Sequence, residues 1–160
     1  MPKVLANNLD NRVERMIERA RTLFIDIAQT HGLQLEWDNS APVELAASLP
    51  KQPGLDWSLW LNLQNNDEIG VQHDLFYVEW FPADDPVAEA EFLAIVHGLI
   101  SGDVRLRCRF GRWRRQPYAV DFQREVNGVW RTFYAYGNGF HIGRAASIKI
   151  LRNGHPDTSG

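Results

Sequence analysis

The stretch DVRLRCRFGRWRRQPYAV, residues 103–120, decides how the second half of the chain folds. Because successive side chains of a β-strand point to opposite faces of the sheet, its apolar and basic residues separate onto two faces. The apolar face, predicted to pack on the core, carries Val104, Leu106, Cys108 and Phe110. The solvent face carries Arg105, Arg107 and Arg109. The sequence therefore predicts an amphipathic strand that ends in an arginine-rich loop.

The next segment, REVNGVWR at residues 124–131, contains Asn127-Gly128, a strong signal for a two-residue β-hairpin turn. Counting outward from this turn pairs Val126 with Val129 and Phe122 with Phe133. The predicted core side then carries Val120, Phe122, Phe133 and Ala135, and the outer side carries Asp121, Gln123, Glu125, Trp130, Thr132, Tyr134 and Tyr136. Pairing with residues 104–110 places the three strand arginines beside Asp121 and Glu125, where opposite charges contribute roughly 0.2–1 kcal/mol per pair.

Two segments have the three- and four-residue apolar spacing of amphipathic helices. The first covers residues 8–31, with Asn7 or Asn8 as the cap and Gly32 as the terminator. The second covers residues 86–100, where a proline occupies the first helical position and Asp85 precedes it as the cap. The sequence predicts a long N-terminal helix and a second, central helix.

Three strands are predicted between these helices, at residues 33–37, 55–64 and 71–82. Residues 38–56 are predicted to be largely irregular, with one helical turn in VELAAS at 43–48. Runs of strands separated by single helices are typical of an α+β protein. We expect a predominantly antiparallel β-sheet with both helices packed on it, in one domain over residues 1–154 followed by a flexible tail at 155–160.

Composition excludes several classes of protein. The single cysteine, Cys108, rules out an internal disulfide framework and a thiolate metal site. The N-terminus has no apolar signal-peptide core, and no run of about 18 apolar residues predicts a membrane span. The chain carries a net charge of -3 although residues 103–115 hold six arginines, so the remainder is acidic. Because this acidic remainder would repel a phosphate backbone, nucleic acid is disfavoured as a partner. We expect a cytoplasmic protein, and a homodimer is one assembly that the sequence allows.

The residue types that dominate protein–protein hot spots, arginine, tryptophan and tyrosine, are frequent on the predicted outer surfaces. The predicted partner-binding residues are Trp60, Arg105, Arg107, Arg109, Arg112, Trp113, Arg114, Arg115, Trp130, Tyr134 and Tyr136. The main hypothesis is a non-enzymatic protein-binding module. Size, acidity and aromatic content are similar to those of bacterial immunity proteins, so a basic toxin is a candidate partner.

Two alternatives belong to other functional classes. One is a binder of a small anionic molecule, or an enzyme, with a pocket lined by His73, Tyr77, Glu79, His141 and Arg144. The other is nucleic-acid contact through the loop at residues 112–115. No catalytic residue, cofactor or metal is assigned, because the histidines lack metal-binding spacing and Cys108 falls on the core face, where burial makes a thiol inert.

Overall fold

A computed structural model describes residues 2–137, 141–155 and 158–159 of the protein. Within this part of the chain there are two helices and ten strands. The helices are α1 (Pro2–His31) and α2 (Pro86–Ser101). The strands are β1 (Glu36–Trp37), β2 (Leu45–Leu49), β3 (Leu59–Gln64), β4 (Glu68–His73), β5 (Phe76–Trp80), β6 (Val104–Phe110), β7 (Ala119–Val126), β8 (Val129–Gly137), β9 (Ser147–Leu151) and β10 (Thr158–Ser159).

The strands form two antiparallel sheets. The first has the order β1-β2-β3-β4-β5, in which every strand pairs with its neighbour in the sequence. The second has the order β10-β9-β6-β7-β8 and is entered from α2 through β6. The predicted α+β class, with antiparallel sheets, a long N-terminal helix and a second central helix, is confirmed.

The core lies between the helices and one face of each sheet. In the first sheet we call this side the inner face; α1 packs on β2 and β3, and α2 on β4 and β5. Phe92 of α2 is fully buried between Phe24 of α1 and Trp80 of β5, with ring centroids 6.2 and 5.7 Å away. Phe76 meets Phe122 edge-on at 4.9 Å, which joins the two sheets.

The helix predictions differ in accuracy. α2 is confirmed: the Asp85 carboxylate accepts a hydrogen bond from the Val87 backbone N–H at 2.9 Å, and Gly102 ends the helix with a φ of 79°. α1 was predicted to begin at residue 8 but begins at Pro2. Residues 3–8 contain neither glycine nor proline, and a proline is compatible with the first turn of a helix.

Two predictions for the first sheet are wrong. Residues 43–48, predicted to include a helical turn, contribute to β2, because Leu45, Ala47 and Leu49 alternate onto the inner face and pair with β3. Residues 71–82, predicted to be one strand, contain a hairpin between β4 and β5. The turn is stabilised by the His73 Nδ1 atom, which accepts a hydrogen bond from the Leu75 N–H at 3.2 Å.

The hairpin at Asn127-Gly128 is confirmed, but its predicted register holds only near the turn. An irregularity between Phe122 and Gln123 makes Phe122 pair with Tyr134 instead of Phe133. Tyr134 and Tyr136 consequently turn towards the core, where both are half-buried, so their predicted outward placement is wrong. A bulge of this kind shifts the alternation of side chains by one residue.

Thr158 and Ser159 of the predicted tail form β10, which pairs with β9. Residues 156, 157 and 160 lie outside the described residues. The extent of a flexible tail, and the assignment of residues 1–154 to one domain, therefore stay predictions. Neither helix of the described chain has the length and apolar character required to span a bilayer.

Candidate functional site

The three arginines of β6 are engaged by β7. Arg107 Nη1 lies 3.3 Å from one carboxylate oxygen of Asp121, and Arg109 Nη2 lies 3.0 Å from the other. Arg105 Nε donates to the Gln123 side-chain oxygen at 2.9 Å. The predicted pairing with Asp121 is confirmed for Arg107 and Arg109, which share this buried carboxylate, whereas Arg105 bonds a neutral amide and forms no salt bridge with Glu125 among the described residues.

Trp130 is also engaged within the fold. Its ring lies under the guanidinium groups of Arg105 and Arg152, whose carbons are 4.3 and 4.9 Å from the ring centroid. Trp60 lies on the other sheet, and Tyr134 and Tyr136 pack against the core. The predicted partner-binding residues therefore do not form one continuous surface.

The loop between β6 and β7 presents the most accessible members of that set. Arg112, Trp113, Arg114 and Arg115 are all exposed, and Trp113 is 88% exposed. The Arg112 guanidinium lies 5.4 Å from the Trp113 ring centroid. The Arg114 N–H donates to the Gly111 carbonyl at 3.2 Å, which shapes the loop. This loop presents an aromatic side chain among cations at the end of a hairpin.

A second loop, residues 141–146, lies beside it. The His141 ring stacks on Tyr118 with centroids 3.9 Å apart, and a Cβ atom on Gly111 would lie 3.3 Å from that imidazole. Ile142, next to His141, is 81% exposed. We define the tip surface as Arg112, Trp113, Arg114, Arg115, Ile142 and Arg144. Residues 111–117 and 141–146 contain no acidic residue, so this surface is cationic with two large apolar side chains.

Of the predicted ligand-pocket residues, the structure brings together only two pairs. Tyr77 and Glu79 lie on the outer face of the first sheet, where the Tyr77 hydroxyl donates to Glu79 Oε2 at 3.0 Å. The pKa of Tyr77 is raised, mainly because burial disfavours the charged phenolate and secondly because of the hydrogen bond to Glu79. His141 and Arg144 belong to the loop beside the tip, where His141 Nε2 lies 3.2 Å from the Arg144 carbonyl oxygen. His73 lies at the β4–β5 turn, so the five residues do not line one pocket.

The outer face of the first sheet is acidic. Its outward-pointing residues, identified from the strand registers, are Glu36, Ala46, Ser48, Trp60, Asn62, Gln64, Glu68, Gly70, Gln72, Tyr77 and Glu79. We call this surface the acidic face, since it holds three glutamates and no lysine or arginine. Trp60 is half-buried in it, and a cavity of about 280 Å³ lined by Ser58, Trp60, Gln72, His73 and Asp74 opens beside that ring.

A pair of histidines joins the two helices. His31 Nε2 of α1 and His97 Nδ1 of α2 share a hydrogen bond of 2.8 Å, in the wall of a cavity of about 690 Å³. Burial lowers the pKa of both imidazoles, and the charge of His97 contributes to the shift at His31. Burial is also the main cause that lowers the pKa of His73. This pair was not predicted from the sequence, because its two members lie on separate helices.

The lowered pKa values of His31, His73 and His97 predict that the folded protein is less stable in acid. A group with a lowered folded-state pKa is protonated more readily in the unfolded chain, so its contribution to stability is complete above the unfolded value of 6.5 and is lost as the pH falls below it. We expect the free energy of unfolding, measured with urea, to be lower at pH 5 than at pH 7.5. His97→Asn should make this pH dependence shallower. Equal stability at both pH values would contradict the prediction.

The tip surface is the candidate site that is most accessible to a partner. Arg112, Trp113, Arg114 and Arg115 were predicted as partner-binding residues and Arg144 as a ligand-pocket residue, whereas Ile142 was not predicted. No group of three or more metal-ligating side chains lies close enough together to bind a metal within the described residues. Comparisons with protein-family models, with curated proteins and with solved structures find no match to this chain.

Proposed function

We propose that the protein is a non-enzymatic protein-binding module, located in the cytoplasm, whose tip surface contacts an acidic patch on a partner protein. The exposure of Trp113 among three exposed arginines is the observation that carries this proposal. A tryptophan that is 88% exposed leaves a large apolar area in water, and a partner that covers it recovers the free energy of burial.

The chemistry of the tip surface favours a carboxylate-rich partner. Guanidinium groups form bidentate hydrogen bonds with carboxylates, and tryptophan and arginine are the residue types most enriched in interface hot spots. The loop joins two paired strands, β6 and β7, so less conformational freedom is lost on binding than from a free peptide. The tip surface can therefore bind through Trp113 as a buried anchor residue, with arginine–carboxylate hydrogen bonds around it.

Site-specific photo-crosslinking in the native cell identifies the partner and tests the surface together. A photoreactive phenylalanine replaces Trp113 in one variant and Val87 in a matched control, because Val87 is 64% exposed on α2 and distant in sequence. We expect a nuclease-resistant protein adduct from position 113 that is missing from position 87. An adduct pattern identical at both positions, or none at 113, would count against the tip surface.

Trp113→Ala provides the quantitative prediction. Truncating a hot-spot tryptophan costs about 2 kcal/mol of binding free energy, so the Kd for the crosslinked partner should rise about 30-fold. Unfolding in urea should change by less than about 0.5 kcal/mol, since the side chain lies in solvent. Val87→Ala is the control that should alter neither quantity. Unchanged affinity in Trp113→Ala would reject the proposal.

Nucleic acid is the alternative partner for the same loop. Arg112, Arg114 and Arg115 flank an aromatic ring, an arrangement that also suits phosphates and stacked bases. Neutralisation of three phosphates would give a log–log slope of affinity against salt of about -2.7 on duplex DNA. Loss of the adduct at position 113 after nuclease treatment would favour this alternative over a protein partner.

A toxin-neutralising function, in which the partner is basic, is favoured by a different observation. The acidic face carries three glutamates as well as Trp60, and no lysine or arginine, so it complements a positively charged protein. Gln72 is exposed in the middle of this face. A photo-crosslinker at position 72 that captures a basic protein, while position 113 captures none, would support this function in place of the first.

A further inference from the structure

A cavity of about 250 Å³ lies between α1, the end of the β3–β4 hairpin and the loop that precedes α2. Its apolar lining consists of Met16, Ala20, Leu23, Leu63, Ile69 and Ala83, all of them buried. Its polar lining consists of Arg12, Arg15, Arg19 and Asp84, all exposed to solvent. An apolar interior with charged groups at the edge matches the general build of small-molecule sites.

The arginines at the edge of this cavity differ in whether a carboxylate pairs with them. Arg12 Nη2 lies 3.2 Å from Asp84 and 3.6 Å from Asp67. Arg19 forms a salt bridge with Glu89 of α2. Arg15 takes part in none of the salt bridges or side-chain hydrogen bonds formed among the described residues. Arg12 and Arg19 therefore already have carboxylate partners, whereas the Arg15 guanidinium, which also lines the cavity, remains available to an anion.

We propose that this cavity binds an aliphatic carboxylate, with the hydrocarbon chain among the apolar lining residues and the carboxylate on Arg15. Arg15, Arg19 and Leu23 succeed one another at four-residue steps, which places them on the same side of α1. A chain leaving the carboxylate at Arg15 can therefore continue over the adjacent Met16 and Ala20 towards Leu63 and Ile69. Burial of methylene groups supplies most of the affinity, and the guanidinium selects the anionic head group.

This site is separate from the tip surface. Its lining residues come from α1, the first sheet and the loop before α2, whereas the tip surface belongs to loops of the second sheet. The proposal therefore stands or falls independently of the function proposed for Trp113. Binding of the carboxylate to a Trp113→Ala variant should be unchanged.

Octanoate is the probe, titrated up to about 1 mM while the methyl NMR signals of the intact protein are followed. We expect saturable shifts at Leu23, Leu63 and Ile69. Octanol and octylamine, which have the same chain length and a different head group, should bind about tenfold more weakly. Absent shifts, or equal binding of all three probes, would overturn the proposal.

Two charge-neutralising variants on the same helix separate the role of Arg15 from general electrostatics. Arg15→Gln should weaken octanoate binding about tenfold. Arg21→Gln, at an arginine outside the cavity that stacks on Trp37, should leave it within about twofold. Arg15→Glu should bind octylamine in preference to octanoate. Thermal unfolding checks that each variant is folded, and equal octanoate affinities in Arg15→Gln and Arg21→Gln would overturn the assignment.

Discussion

Replacing Phe92 with alanine is expected to lower the free energy of unfolding by about 3–5 kcal/mol. The side chain is fully buried, and its ring packs against Phe24 and edge-on against Trp80. Truncation removes apolar burial and leaves a cavity where α1, α2 and the first sheet meet. The measurement is urea unfolding followed by circular dichroism, with the slope against denaturant checked for two-state behaviour.

Val87→Ala is the matched control on the same helix. Val87 is 64% exposed, so its truncation should change stability by less than about 0.5 kcal/mol. The contrast between the two variants isolates burial from helix propensity, which both substitutions improve. A loss below about 1 kcal/mol for Phe92→Ala would mean that α2 does not pack between α1 and the first sheet.

Asp121→Ala is expected to cost about 2–3 kcal/mol, the second largest effect. Its carboxylate is the partner of both Arg107 and Arg109, and its removal leaves two neighbouring guanidinium groups of β6 without that anion. The expected cost is below that of a fully buried pair, because the arginine side chains are 37% and 33% exposed and water can rehydrate them. Urea unfolding measures the loss.

Removal of the unpaired cations should restore much of that stability. Adding Arg107→Gln and Arg109→Gln to Asp121→Ala eliminates the repulsion, so we expect at least half of the lost free energy to return. A triple variant no more stable than Asp121→Ala would show that the carboxylate stabilises the sheet by some means other than charge compensation.

The parts of the fold that were predicted correctly are those with local signals. Asp85, Pro86 and Gly102 define α2 through capping chemistry that acts within a few residues. The alternation over residues 104–110 and the Asn127-Gly128 turn define β6 and the β7–β8 hairpin in the same way. Such signals depend on the backbone preferences of the residues themselves, so they can be recognised without knowledge of the tertiary structure.

The errors occur where tertiary contacts decide the conformation. β2 forms because β1 and β3 flank it, although Val43 to Ser48 also suits a helical turn. The β4–β5 turn has no glycine or asparagine at its centre, and a histidine side chain supplies the hydrogen bond that closes it. The bulge at Phe122 has no sequence signal, yet it reverses the placement of Tyr134.

The candidate sites show the same difference between features with a local sequence signal and features that depend on tertiary contacts. The exposure of Trp113 follows from its place in a polar loop between two strands and was predicted. The acidic face and the cavity between α1 and the β3–β4 hairpin are formed by residues that lie far apart in the sequence. Neither was therefore predicted. Ile142 joins the tip surface because the residue before it, His141, stacks on Tyr118, a contact that the sequence does not indicate.

The position of Cys108 gives the protein an internal reporter of its own opening. Cys108 is the chain's single cysteine, is fully buried, and lies on β6 between β7 and β9. A thiol reagent in solution therefore reaches it only in molecules whose second sheet has transiently separated from the core. The labelling rate of the unmodified protein reports the population of that open state, and a slower rate on adding a partner shows that the partner stabilises the second sheet against opening.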